Sequence, residues 1–315
     1  KMSLTIAHVG GAVGVEPIRR SIPNEDKALR RYFRRLARER GSDELRVCYE
    51  AGPNGFSLKR RLEALGLATV VVVAPSLTPR RSGRSVKTDN RDAADLARLY
   101  RSGELTEIAV PDEDDEAARD LGRTYHQVRQ EIMRKRHHIL KFLVRRGRIF
   151  RDGRHWTIKH RQWLKGQRWD HWMDEISYGE LLVGLGELEE RQGRLAGALQ
   201  RLVEQSPWRE TAAVLRCFHG IDTQAAAVLA TEVFDVRRFS HPRQLMSYLG
   251  LTPCVMQTGE SERHGAISKT GNRHVRFLLG QIAWHYRHRP AVGQKLRQRR
   301  EGQPAWAIAI ADRAQ

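Results

Sequence analysis

Ala68-Thr69-Val70-Val71-Val72-Val73-Ala74 is a run of β-branched and small apolar residues between Gly66 and Pro75. A run of this kind predicts a strand that is buried on both faces. It is far too short to cross a bilayer. Because strand and helix patterns alternate around it, the sequence predicts an α/β domain over residues 1–111, with a mixed sheet covered by helices.

The flanking patterns supply the other elements of this domain. Gly10, Gly11 and Gly14 separate two strand-like runs and predict a hairpin. Gly66 follows an amphipathic pattern and predicts a helix end. The predicted strands are Ser3–His8, Val15–Ser21, Leu45–Tyr49 and Thr106–Val110, and the predicted helices are Asn24–Arg40, Gly55–Leu65 and Arg91–Ser102.

Three carboxylates stand at the ends of these elements. Glu50 closes the strand before Ala51-Gly52, and Asp89 and Asp92 lie three residues apart in Lys87-Thr88-Asp89-Asn90-Arg91-Asp92. A helix beginning near Asp89 would point both aspartates the same way. Carboxylates converging in this manner are the ligands that Mg²⁺ requires for phosphoryl transfer. The alternative from the residues alone is a helix N-cap at Asp89 and an ordinary first-turn acid at Asp92.

The charge balance points to a polyanionic partner. The 315 residues include 56 Lys and Arg against 37 Asp and Glu, a formal net charge of +19. Such a field attracts phosphates over long range, and no basic helix carries the bulky apolar face of a membrane-surface protein. We therefore expect nucleic acid as the partner and no membrane. Cys48, Cys217 and Cys254 are scattered, which predicts core thiols in a reducing, cytoplasmic setting.

From Asp112 the pattern becomes helical. Residues 112–146 and 178–204 each predict a long helix, and together they predict an antiparallel stalk over 112–208 that serves either as a spacer or for dimerisation. Between them, Trp163 and Trp169 stand among basic residues. Such tryptophans either stack on nucleic-acid bases or cap the end of the helical pair, and both alternatives stay open.

The last third, 209–315, is predicted to be mostly helical. It carries Tyr248-Leu249-Gly250-Leu251-Thr252-Pro253, then Thr258-Gly259-Glu260-Ser261, then Ser268-Lys269-Thr270-Gly271-Asn272. A hydroxyl beside a glycine in a loop, with basic residues nearby, is a candidate nucleophile or phosphate ligand.

Four motifs, in this order, resemble one group of insertion-sequence transposases: Tyr49-Glu50-Ala51-Gly52, Lys87-Thr88-Asp89 with Asp92-Ala93, Leu249-Gly250-Leu251-x-Pro253, and Ser268-Lys269-Thr270-Gly271-Asn272. That group has a DEDD-type amino-terminal domain and a serine-bearing carboxy-terminal transposase domain, and it is similar to the pilin-gene invertase. The resemblance covers nearly the whole chain. It implies a RuvC-like, ribonuclease-H-type fold over the first domain.

The resemblance also implies the chemistry. Glu50, Asp89 and Asp92 match three members of an acidic tetrad that binds Mg²⁺. The first Asp of the tetrad is missing, and we expect it shortly before Lys1 in the full protein. Members of the group resemble RNA-guided recombinases, in which a bridge RNA pairs with donor and target DNA while the protein supplies shape and chemistry.

The family's nucleophilic serine corresponds to Thr258 here. Threonine keeps the hydroxyl, but its methyl group crowds in-line attack, so Ser261 is the alternative nucleophile. A dimer or tetramer is expected, because two duplexes recombine. A catalytically impaired RNA- or DNA-binding protein and a junction nuclease that uses water are the competing hypotheses. The expected nucleic-acid contacts are Lys87, Arg91, Trp163, Trp169, Arg263, Lys269, Arg273 and His274.

Overall fold

The computed structural model describes residues 2–10, 15–40, 45–52, 55–79, 88–205, 207–259 and 261–315. The chain divides into two compact units, an amino-terminal unit, Lys1–Pro111, and a carboxy-terminal unit, Asp112–Gln315. The predicted division of the second unit at residue 208 stays a prediction.

The amino-terminal unit contains both strand-pairing types. Its elements are β1 (Ser3–His8), β2 (Ile18–Pro23), α1 (Asp26–Arg40), β3 (Arg46–Glu50), α2 (Ser57–Ala64), β4 (Thr69–Val73) and α3 (Asp89–Ser102). Strands β1 and β2 form the predicted antiparallel hairpin, with Ser3 opposite Pro23. Strands β3 and β4 are parallel, with Glu50 opposite Val73. Beyond β4, the Ile108 N–H donates to the Val72 carbonyl over 2.9 Å, so the predicted strand near Thr106 is reduced to a short antiparallel bridge.

One face of α1 supplies the core of this unit. Leu29, Tyr32, Phe33 and Leu36 recur at helical spacing and are all buried. They pack in one cluster with the buried Val70 of β4 and with partly buried residues of β1, β2 and β3. The valine run is therefore the buried strand that its composition predicts.

The predicted single mixed sheet is not what the described residues form. They form two separate two-stranded sheets, β1 with β2 and β3 with β4. A cavity of about 500 Å³ lies between β1 and β3, where pairing would be needed to join the sheets. The α/β class is confirmed, and the RuvC-like arrangement stays a prediction.

The carboxy-terminal unit is built on two long helices. Arg136 and Arg146 of the first pair with Glu189 and Asp174 of the second, so the helices run antiparallel. At 32 residues each they are about 48 Å long. The elements are α4 (Glu113–Val144), α5 (Ile158–Lys165), α6 (Trp172–Val203), α7 (Trp208–Leu215), α8 (Thr223–Val233), α9 (Pro242–Tyr248), β5 (Pro253–Thr258), β6 (Ser261–Ile267), α10 (Arg273–Ala283), α11 (Gln294–Arg300) and α12 (Ala305–Arg313), with 3-10 turns at Val236–Arg238 and Trp284–Arg287.

Two larger cores and a small cluster of Cys217, Ala307 and Ala311 hold this unit together. The first lies between α4 and α6, around Val128, Ile132 and Leu185. The second joins the end of α6 to α8 and α10 and contains Leu199, Ala226 and Val275. Of the helices described, none combines the length and the apolar character needed to span a bilayer.

The three cysteines differ in their surroundings. Cys217 is buried, and burial raises the pKa of the half-buried Cys48 to about 11. The prediction of a core thiol is wrong for Cys254, which is exposed on β5.

Candidate functional site

The carboxylates of the amino-terminal unit lie where a strand ends and a helix begins. Glu50 is the last residue of β3 and is half-buried. Asp89 and Asp92 lie in the first turn of α3, where a negative charge is favourable beside the helix N-terminus. The N-cap is Thr88, whose hydroxyl accepts from the Arg91 N–H at 3.4 Å, so the alternative that placed the cap at Asp89 is wrong.

Tyr100, in the last turn of α3, lies near β3. It interacts electrostatically with Cys48 and Arg46 of that strand, while burial is the main cause that raises its pKa.

These residues do not by themselves complete a magnesium site. Among the described residues, no group of three His, Cys, Asp or Glu side chains is arranged to hold a metal ion. Glu50 thus supplies a hard oxygen donor at the end of β3, and Asp89 and Asp92 supply two at the start of α3, but these residues do not form a closed ligand set. Arg91 is exposed in the same helical turn, and Lys87 lies outside the described residues.

The candidate nucleophiles lie at the tip of a hairpin. Strands β5 and β6 are antiparallel, and Thr258 is directly opposite Ser261. Gly259 turns the chain at a φ of 60°, a left-handed conformation that glycine adopts without strain. Every described residue of both strands is exposed, so the sequence-based expectation of a loop is corrected to an exposed β-hairpin.

Pairing brings the two hydroxyls to the same face of the hairpin. Directly opposed residues in an antiparallel pair have Cβ atoms about 5 Å apart. A reacting phosphate at the tip could therefore reach Thr258 or Ser261, and the geometry keeps both alternatives.

Four predicted nucleic-acid contacts lie on or just beyond this hairpin. Arg263 lies on β6 opposite Met256, and Lys269 follows the strand with a φ of 56°. Arg273 opens α10 and is exposed, whereas His274 is half-buried. Burial is the main cause that lowers the pKa of His274, so its imidazole is largely uncharged at neutral pH.

Comparison with known proteins identifies the family. Residues 9–146 match the transposase model DEDD_Tnp_IS110, and residues 212–297 match the model described as "Transposase IS116/IS110/IS902 family". The chain is 39% identical over 293 residues to "Putative transposase y4qE" of Sinorhizobium fredii, covering 92% of this chain and 70% of that protein. It belongs to the IS110 family of transposases.

A second relative extends the similarity over most of its own length. The "Transposase for insertion sequence element IS1533" of Leptospira borgpetersenii is 30% identical over 297 residues, which cover 93% of this chain and 85% of that protein. The IS110-family chain is therefore a transposase, an enzyme of DNA recombination, and its substrate is DNA.

Two motifs of this IS110-family transposase are held against each other. The Lys269 N–H donates to the Gly250 carbonyl at 3.1 Å, and the Asn272 N–H donates to the Tyr248 carbonyl at 3.2 Å. Arg276 Nη1 donates to the Leu249 carbonyl at 2.7 Å. Both ends of the β5–β6 hairpin are thereby anchored to one point, which we call the motif clasp.

Glycine is required where the clasp closes. Gly271 has a φ of 82°, and a Cβ atom added there would lie 1.9 Å from the Tyr248 carbonyl oxygen. A Cβ at Gly250 would lie 2.0 Å from the Thr270 carbonyl oxygen. The two glycines of the family motifs thus permit close backbone approach and bring no chemistry of their own.

A buried carboxylate supports the clasp, and sequence reasoning missed it. Glu232 is 1% exposed, and it accepts from Arg123 at 2.7 and 3.0 Å and from Asn272 Nδ2 at 2.8 Å. Burial by itself would raise the pKa of Glu232, but Arg123, Asn272 and Arg119 outweigh burial and hold it below its usual value. In the sequence, Glu232 is distinguished only as the single charged residue of α8, and this does not reveal its partners.

Trp163 and Trp169 lie against the core at one end of α4 and α6. The Trp169 ring packs 5.3 Å from Phe142 and 5.0 Å from Tyr178, between ring centroids, and the Arg148 guanidinium lies 4.3 Å from its centroid. Trp163 stacks on the buried His160. This packing favours the alternative in which the tryptophans cap the helical pair, and their stacking on bases stays a prediction.

Proposed function

We propose that this transposase cuts and rejoins DNA through a covalent bond between a hairpin-tip hydroxyl and a DNA phosphate. The observation that carries the proposal is the position of Thr258. It is exposed at the end of β5, it lies next to Gly259, and its hairpin is anchored at the motif clasp.

The proposed reaction is a transesterification, in which each phosphodiester bond that breaks is replaced by a new one. The Thr258 oxygen attacks the scissile phosphorus, the bond from phosphorus to the 3' oxygen breaks, and the proton lost by threonine is balanced by the one that the 3' oxygen gains. The free 3' hydroxyl of a partner strand then attacks the protein-linked phosphate and releases the threonine. Ser261 is the alternative nucleophile from the same face.

Glu50, Asp89 and Asp92 are proposed as carboxylate ligands for Mg²⁺. Carboxylate oxygens are the donors that this ion prefers, and a bound ion would stabilise charge on the phosphate during transfer.

The proposed DNA contacts surround the hairpin and the first turn of α3. Arg263, Lys269 and Arg273 would bind phosphates near Thr258, and Arg91 with Lys87 near the carboxylates. His274 would bind a nucleic-acid phosphate farther from the hairpin tip. The net charge of +19 supports extensive phosphate contact. Trp163 and Trp169 are proposed as a further contact through their partly exposed edges.

A guide RNA is part of the proposal. The resemblance to bridge-RNA-guided recombinases supports it, as does a positive charge sufficient for both RNA and DNA. In this scheme the RNA pairs with donor and target strands and determines where cutting occurs. Omitting the RNA should therefore leave general DNA binding and remove site selection.

A dimer or tetramer is proposed from an exposed seam on α6. Trp172, Ile176 and Val183 are exposed along it, and Gly179 and Gly186 have no other atom within 4 Å of an added Cβ. Trp172, Gly179 and Gly186 recur at seven-residue spacing, and so do Ile176 and Val183, which is the pattern by which one helix approaches another closely. Two protomers joined along this seam could present hairpins to two duplexes.

The experiment that tests the proposal is cleavage of labelled DNA with the element's flanking RNA and Mg²⁺, resolved on a denaturing gel. We expect a protein-linked DNA band that is lost in Thr258→Ala and kept in Ser261→Ala. Cleavage without a linked band would show a nuclease that uses water, and binding without cleavage would show an inactive protein. Either result would overturn the covalent mechanism.

A further inference from the structure

A polar cavity lies between α4, α8 and α10 of the carboxy-terminal unit. Its volume is about 150 Å³, enough for a few water molecules or one tetrahedral anion. We call it the three-helix cavity. Its charged and polar lining includes Arg123, His126, Arg129, Glu232, His274 and His285. Neither Thr258 nor Ser261 belongs to the lining, so the cavity is separate from the hairpin tip.

The acidic groups of the cavity are already paired. Glu232 is held by Arg123 and Asn272, with Arg119 at 3.9 Å. The Asp222 carboxylate caps α8 by accepting from the Ala225 N–H at 2.8 Å. Both carboxylates of the lining thus have partners within the unit, and neither pairs with Arg129.

Arg129 is the arginine of the lining that does not pair with Glu232. It is exposed at the cavity, and its guanidinium forms no hydrogen bond or ion pair with any residue that the structure describes. Its charge nevertheless acts on the lining, since it contributes to lowering the pKa of His126. One unpaired guanidinium at a small cavity favours an anionic ligand.

The histidines add hydrogen-bond donors. The rings of His126 and His274 meet edge to face with centroids 5.8 Å apart, and burial lowers the pKa of both. A neutral imidazole donates through one nitrogen. In His126 this is Nδ1, because Nε2 already accepts from Gln130 Nε2 at 2.9 Å. His285 reaches the cavity past Gly220, where a Cβ atom would lie 3.0 Å from the His285 ring.

We propose that the three-helix cavity binds one phosphate group of a nucleic-acid backbone through Arg129, His126 and His274. The proposal builds on the proposed function, because it assigns this unit a second point of contact with the strand whose phosphate reacts at the hairpin. The Arg129 guanidinium supplies the charge and the two imidazoles fix the orientation.

The test is a nuclear magnetic resonance titration of the histidine rings in the full chain. The probe is a thymidine dinucleotide, which has one phosphodiester and no terminal phosphate, and inorganic phosphate is titrated in parallel. We expect saturable shifts of His126 and His274 with the dinucleotide. In Arg129→Ala the affinity should fall about tenfold, the loss expected for one charge-assisted hydrogen bond.

The matched control is Arg191→Ala, which removes an exposed arginine of α6 in the same unit. It should keep the parent affinity, and Arg129→Lys should recover part of the loss. Absence of dinucleotide shifts, equal affinity of Arg129→Ala and the parent, or a response to inorganic phosphate alone would overturn the proposal. This readout needs no DNA cleavage, so failure of the covalent mechanism and failure of the cavity proposal are distinguishable.

Discussion

Replacement of Glu232 by glutamine should weaken the carboxy-terminal unit substantially. The side chain is 1% exposed, and Oε2 accepts from both Arg123 Nη2 and Asn272 Nδ2. A glutamine can place its amide oxygen at the Oε2 position and keep Asn272, but its amide nitrogen then faces Arg123 Nε, a donor against a donor. Glu232→Gln thus loses the hydrogen bond from Arg123 Nε and the negative charge that faces Arg119 and Arg123.

The size of the effect follows from the burial of each partner. A hydrogen bond to a charged group is worth about 1.5–3 kcal/mol when buried. The Arg123 side chain is 43% exposed, so its share is discounted to about 0.5–1 kcal/mol for solvent screening. Loss of the buried negative charge beside Arg119, whose side chain is 9% exposed, adds about 2 kcal/mol, so we expect Glu232→Gln to lower the free energy of unfolding by about 3 kcal/mol.

Urea unfolding followed by tryptophan fluorescence measures this loss. All seven tryptophans lie after residue 111, so the signal reports the carboxy-terminal unit. The control is Glu190→Gln, an exposed acid on α6 that should unfold like the parent.

Acid pH supplies the second half of the test. The pKa of Glu232 is depressed in the folded protein, so its stabilisation is present above the ordinary value of 4.5 and is lost as pH falls through the lower folded pKa. Parent and Glu232→Gln should converge in stability under those conditions. A Glu232→Gln protein within 0.5 kcal/mol of the parent at pH 7, or a gap unchanged in acid, would refute the account of this network.

Three further substitutions test the hairpin, the carboxylates and the clasp. Thr258→Ser should raise strand exchange by about two- to tenfold, the rate equivalent of an unfavourable rotamer, and gel assays showing no gain would exclude crowding by the methyl group. Asp92→Ala should abolish DNA cleavage while RNA affinity in a filter-binding assay stays unchanged, with Glu25→Ala as an exposed control; full cleavage by Asp92→Ala would remove this residue from the site. Gly271→Ala should cost about 3 kcal/mol or more in urea unfolding, whereas Gly302→Ala, with a φ of 71° and open space, should cost about 1–2 kcal/mol; equal losses would contradict the close approach.

Periodicity predicted the elements that bury one regular face. The pattern over 112–146 gave α4 nearly to its ends, and the valine run gave β4. Both signals are local, because each residue's burial follows from its position in a single helix or strand. The salt bridges between α4 and α6 form because the two helices lie antiparallel.

The exposed hairpin could not be predicted in the same way. Strands β5 and β6 bury no residue, so no alternation of apolar and polar side chains marks them. Their pairing is set by the Gly259 turn and by the clasp, and the clasp joins motifs about twenty residues apart. The family resemblance placed Thr258, but only the structure set Ser261 opposite it.

Polar contacts between residues far apart in the chain could not be predicted from the sequence either. Glu232 lies more than one hundred residues from Arg123 along the chain. The alanine-rich sequence of α8 predicts an ordinary buried helix and gives no sign of this ion pair. In the amino-terminal unit, the predicted single sheet required pairing between β1 and β3 that the described residues do not make. Strand order depends on such pairing and not on the pattern of either strand.

Peptide mapping would show which residue bonds covalently to DNA. The DNA-linked protein is digested with nuclease and protease, and mass spectrometry locates the nucleotide that stays attached. We expect it on Thr258, in the peptide that contains the β5–β6 turn. A nucleotide on Ser261 would transfer the role to the opposite strand, and a linked nucleotide elsewhere, or none in a reaction that cleaves DNA, would refute covalent attack by Thr258.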